Sequence, residues 1–273
     1  MEGSKVKNLI IVILLLVNLF LLAMVLHDRV EETKTQKQSL KDVAAAYEHS
    51  GIRLAAELHW DEKRGSCSLH RDLSREGKLA KAVIGTCTVD DLGGNILYYK
   101  GANGEARFRG TGEFEIVLAT HAIPVSGSPL DTAKSVLDDM GYKTDLSLAV
   151  AENTSDMSKI TLLCMHRGNS VYNCSVSFLF TPEYLMMIEG RRLLEWSADG
   201  ENSAFSAPTV LMHFLTEIRE HGTVCSEVLE LELGYFMAAS ASGEGTLTPY
   251  WRIVTDAGQY YINAMTGKIE SYI

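Results

Sequence analysis

The residues of this chain able to do chemistry are scattered rather than gathered into a motif. There are eight histidines, and none pairs with another at metal-ligand spacing. His213 and His221 lie two helical turns apart, too far for both to reach one ion. Asp90-Asp91 and Asp138-Asp139 read as turn and helix-end acids. Gly243-Glu244-Gly245-Thr246 is too short to cradle a phosphate and reads as an inter-strand loop. No nucleophile elbow, P-loop, H-E-x-x-H or dinucleotide fingerprint occurs. Asn153-Thr154-Ser155 and Asn173-Cys174-Ser175 fit the glycosylation sequon. The expectation is a protein that is not an enzyme, with no catalytic, cofactor-binding or metal residues.

The five cysteines are Cys67, Cys87, Cys164, Cys174 and Cys225, with no C-x-x-C pair. Cys164 and Cys174 flank the turn signal Arg167-Gly168-Asn169-Ser170, so a hairpin there would set them nearly opposite. Cys67 and Cys87 flank Gly77 in a similar way. Each pair is a candidate bridge outside the cell, and the alternative is five small core hydrophobes.

Any such groups must be positioned by the folded part of the chain, which begins after an apolar N-terminus. Leu9–Leu26 is 18 residues long and interrupted only by Asn18. At about 1.5 Å per residue it covers roughly 27 Å, close to the hydrocarbon thickness of a bilayer. It is apolar on every face, too long for a signal-peptide core and without a small-x-small cleavage site. The expected order is a cytoplasmic tail at 1–8, a transmembrane helix at 9–26 and a juxtamembrane helix at 27–50, with the remainder outside the cytoplasm. Asn18 is either tolerated in an apolar helix or a contact to a second membrane helix. Leu40, Val43, Ala44 and Tyr47 recur at helical spacing. Leu40, Val43 and Tyr47, with Asn18, are the candidate partner contacts; the competing reading docks this stripe on the chain's own outer domain.

Beyond Gly51 the pattern is α+β. Strands are expected at 95–100, 106–109, 113–119, 143–151, 159–166, 171–180, 184–189, 223–238, 248–255 and 259–263. The long 223–238 strand should bend near Gly234. One helix follows Ser128-Pro129 with Leu130, Ala133, Leu137 and Met140 inward, and another runs over 207–221. Helices ending at Gly51, Gly141 and Gly222 each lead into a strand. The segments Tyr98–Gly104 and Tyr260–Gly267 share a form. Together these suggest duplicated units, each an antiparallel sheet with a helix across one face. The expected division is 51–200 and 201–273.

A net charge of −10 repels phosphate backbones and argues against nucleic acid as a partner. Nothing in the residues points to a small-molecule substrate or a cofactor.

The opening Ser4-Lys5-Val6-Lys7-Asn8, with Val17-Asn18-Leu19-Phe20-Leu21, resembles the start of the YycI/YycH group of two-component-system regulatory proteins. The segment Pro249–Val254 with Gly258–Lys268 resembles the closing hairpin of PepSY-like domains. The first resemblance implies a single membrane helix and a non-catalytic outer portion. It implies a role beside a sensor histidine kinase, and possible company from a paralogous single-pass regulator, in a Gram-positive cell envelope. The second offers an alternative, a PepSY-type module that binds or inhibits an exported peptidase. An unrecognised cell-envelope enzyme is a further alternative.

Overall fold

The computed structural model describes residues 2–57, 64–142, 149–199, 204–220, 222 and 224–270. The chain is mixed α+β. Helix α1 (Glu2–His49) is continuous, merging the expected tail, membrane segment and juxtamembrane helix into one element. Within the expected membrane segment, the side chains of 9–12, 23, 25 and 26 lie outside the described residues. Among the described residues no helix is long and apolar enough to cross a membrane.

Two short strands follow, β1 (Arg53–Leu54) and β2 (Cys67–His70), and then three modules of one form, a helix leading into four strands. The first is α2 (Leu73–Ile84) with β3 (Cys87–Asp91), β4 (Ile96–Gly101), β5 (Gly104–Arg109) and β6 (Glu113–Leu118). The second is α3 (Pro129–Asp139) with β7 (Val150–Asn153), β8 (Ser158–His166), β9 (Asn169–Phe180) and β10 (Leu185–Arg191). After β11 (Glu195–Asp199) comes the third, α4 (Ala207–Glu220) with β12 (Glu227–Ala239), β13 (Gly245–Thr255), β14 (Gly258–Asn263) and β15 (Ile269–Glu270). Within each module consecutive strands pair antiparallel.

Helices end at Gly51, Gly141 and Gly222 as expected, each followed by a strand, and a further one ends at Gly85; the three that head the modules are those ending at Gly85, Gly141 and Gly222. Helix α2 replaces the turn expected around Gly77. Asp72 caps it by accepting hydrogen bonds from the Ser74 and Arg75 amides, and Leu79, Ala80, Val83 and Ile84 are buried. Ser128 caps α3 in a reciprocal box with Asp131. Val136 joins Ala133, Leu137 and Met140 in the core, while Leu130 stays partly exposed. Most expected strands are observed with ends moved by a few residues. Of 143–151, residues 143–148 lie outside the described residues.

The strands form one connected set rather than separate sheets, in the order β11-β2-β13-β12-β9-β10-β6-β5-β4-β3. Two junctions are parallel, β1 with β12 and β12 with β9, and β10 joins β6 antiparallel. Two apolar cores result. The first is covered by α2 and α3, the second lies beneath α4, and the β12–β13 hairpin serves both. Tyr235, Met237 and Leu247 point into the first; Val228, Trp251 and Ile253 into the second. The pairing of β12 with β13 passes unbroken through Gly234, and its irregularity lies between Val228 and Glu230 instead. Gly234 makes room for the Tyr172 ring: an added Cβ would overlap that ring and come within 2.6 Å of the Ser170 carbonyl oxygen.

Candidate functional site

Two places on this frame gather polar or partner-seeking groups. The first is the lower end of α1. Val43 and Tyr47 are buried in the second core with Val210, Leu211 and Phe214 of α4. The Tyr47 hydroxyl donates to the Leu211 carbonyl at 2.8 Å. Burial pushes the Tyr47 phenol well up, with Cys225 adding to it, so the group stays a neutral donor. Arg219 of α4 donates to the Ser50 hydroxyl. Of the candidate partner contacts, Val43 and Tyr47 thus come together on the chain's own α4. Leu40 is half-buried beside them and Asn18 stands exposed on the distal part of the helix.

The second place is a cleft of about 420 Å³ between α2, the end of α3, the β8–β9 turn and the 193–196 segment. The sharp turn at Arg167-Gly168, both at positive φ, brings His166 and Arg167 to its edge. Leu193 and Leu194 form one wall, Cys164 and Met165 another. His166 is held edge-on between Trp196 and Tyr235, with ring centroids 4.8 and 4.9 Å apart. The Arg75 guanidinium lies 5.9 Å from the Tyr142 ring centroid and pairs with Glu195. The Tyr142 hydroxyl is buried and, among the described residues, has no hydrogen-bond partner. Burial raises its pKa, against the opposing pull of nearby Arg192 and Arg75. Burial also pushes the Cys164 thiol up to about 11, so it is neutral at pH 7. A neighbouring depression of about 430 Å³ shares Arg75 and Gly141 with the cleft and is lined by the acids Asp72, Asp139 and Glu195 together with Lys78.

Arg192, next in the chain to Leu193, belongs to a buried ion cluster. Glu76 is 0% exposed and accepts two hydrogen bonds from Arg71, at 2.7 and 2.8 Å, and one from Arg192. Arg71 also donates to the Asn95 carbonyl at 2.6 Å. Arg192, 1% exposed, lies 5.8 Å from the Phe108 ring centroid, and its Nε has no partner among the described residues. Two guanidinium groups thus share one carboxylate, leaving a surplus positive charge.

All five cysteines are free. Cys164 faces Val171, not Cys174, because the register slips between Leu163 and Cys164. Helix α2 separates Cys67 from Cys87. Sequence reasoning missed the cleft because Arg167-Gly168 reads only as a turn. Glu76 was hidden with α2 itself, although Asp72 before an apolar 3–4 spacing was a legible start signal. Among the described residues no three His, Cys, Asp or Glu gather to hold a metal ion; His221 lies outside those residues.

No family model matches this chain, and no curated protein matches it. Among solved structures, an uncharacterized protein from Eubacterium rectale is similar over 81% of this chain and 90% of its own, at 13% identity and a TM-score of 0.48.

Proposed function

We propose that residues 9–26 anchor the chain in a membrane, with the following α+β portion outside the cytoplasm. There it acts as a non-catalytic regulator of a sensor histidine kinase. The observation that carries this reading is the division of labour along α1. At one end Ile13–Val17 and Leu19–Leu22 expose apolar side chains that no described part of the chain covers, Phe20 at 69%. Exposed apolar surface of this kind seeks lipid or another helix. At the other end Val43 and Tyr47 are locked into α4. A helix anchored in the domain and apolar beyond it suits a part that carries a change in the membrane to the outer domain. Regulation through it requires contacts of different strength in two kinase states.

The repeated helix-and-four-strand modules support the expectation of duplicated PepSY-like units. The packing of α4 across β12, β13 and β14 keeps a second reading in play, a PepSY-type module that binds a peptidase through its sheet and helix. Crosslinking in native membranes followed by co-purification separates the two. Recovery of a kinase with the wild-type chain, and its loss with Asn18→Leu while insertion is retained, is the expected result. Recovery of a peptidase, or kinase recovery unchanged by Asn18→Leu, removes the membrane contact.

A further inference from the structure

We propose that α1 pairs within the membrane with the α1 of a second copy of this chain, in parallel, along a seam of Ile11, Leu14, Asn18, Leu21 and Val25. This rests on the membrane reading above and names what meets Asn18 there. The five residues alternate spacings of three and four, so they share one stripe along a continuous helix. The first position of the repeat holds the β-branched Ile11 and Val25 and a single Asn, and the fourth holds Leu. That composition favours two parallel strands, with the Asn fixing register and number. Leu14 and Leu21 are 56% and 50% exposed, and Asn18 is exposed between them.

Asn18 decides the occupant. It stands at the middle of Leu9–Leu26, where an amide without a partner is unfavourable. Every copy inserts the same way round, so a parallel pair brings identical residues to identical depth. A carboxamide both donates and accepts, which makes Asn18 complementary to the Asn18 of a second copy. Any other helix would need a polar group of its own at that depth. The seam also has a natural end. Asp28 and Glu32 take the next two places of the repeat, and like charges there disfavour its continuation beyond the lipid. Each helix then docks Val43 and Tyr47 on the α4 of its own chain. A kinase on this view meets the pair rather than a single helix.

The test uses the full chain in native membranes, with single cysteines introduced in α1 and oxidised by copper phenanthroline. Leu14→Cys and Leu21→Cys should give a disulfide-linked band at twice the chain's mass. Leu16→Cys and Phe20→Cys, on the opposite side of the helix, should give no more than the wild-type background. In detergent micelles, sedimentation equilibrium should show Asn18→Leu raising the dimer dissociation constant about fivefold, a loss of roughly 1 kcal/mol. Asn18→Gln, which keeps the carboxamide, should stay close to wild type. Equal crosslinking on both sides, a dissociation constant unchanged by Asn18→Leu, or a Leu14→Cys band that contains another protein overturns the pairing and leaves the anchor standing. Release of the chain by alkaline carbonate without detergent overturns the membrane reading, and the pairing with it.

Discussion

Detaching the lower end of α1 from α4 is the sharpest perturbation this fold offers. Tyr47 has no exposed surface and donates one buried hydrogen bond, at 2.8 Å, to Leu211. Truncating a buried aromatic to alanine costs about 3–5 kcal/mol. Removing only the hydroxyl, as in Tyr47→Phe, costs about 1 kcal/mol. At 1.4 kcal/mol per factor of ten, Tyr47→Ala should raise the detached population by roughly 10² to 4 × 10³, and Tyr47→Phe by about fivefold. Val43, the other buried residue in the stripe, holds about 1.5–3 kcal/mol of apolar burial and sets the residual grip. The assay is amide hydrogen exchange on the full chain in nanodiscs, read at residues 43–50 and in the first turns of α4. Tyr47→Ala should speed exchange there about a hundredfold or more while Val176 and Phe178, deep in the first core, keep wild-type rates. Lys41→Ala, exposed on the same helix, should change nothing. Acceleration under about tenfold, or the same acceleration in the first core, would refute the clamp.

Glu76→Gln leaves two buried guanidinium groups without a counter-charge and should lower stability by about 3–5 kcal/mol, read as a shifted urea midpoint with unchanged slope; a loss under about 1 kcal/mol would show that the cluster is neutralised otherwise. Gly234→Ala forces the Tyr172 ring off the sheet and meets the Ser170 backbone, so it should cost about 1–3 kcal/mol, and a thermal midpoint equal to wild type argues against the close approach. The Asp256 carboxyl is held down to about 2 by the Ser226 hydroxyl and the Glu227 and Ser226 amides. Its charged form is favoured in the folded state, so the stabilisation is full above the ordinary carboxylate range and disappears as pH falls toward 2. The Tm gap between wild type and Asp256→Asn should close over that window, and a gap that survives at pH 2 contradicts it.

Most of the longer strands were legible because their side chains alternate, whereas the short β1, β2, β3, β11 and β15 were not among those expected. The run from Val171 to Phe180 faces two environments, and a period of two records that in the residues themselves. Caps were legible for the same local reason: Ser128, Pro129 and Asp131 act within one turn. Helix α2 escaped because Arg75-Glu76-Gly77-Lys78 imitates a turn, whereas Glu76 is buried by partners 5 residues before and 116 after it. Burial of a charge depends on such distant pairing, and periodicity carries no trace of it. The stripe of Val43 and Tyr47 was visible, but not which surface would receive it. A slip of register, invisible to spacing, moved Cys164 away from Cys174. The cleft assembles from four separate segments and has no linear signature.

The paired strands β12 and β13 belong to two interiors at once, and this limits how the molecule comes apart. The strands of neither interior can separate while those of its neighbour stay paired, because each would have to surrender the same ribbon. Helices that only dock, as the lower end of α1 does on α4, can still come away. The sheet thus behaves like an arch with a common keystone, and its helices like stones resting against it.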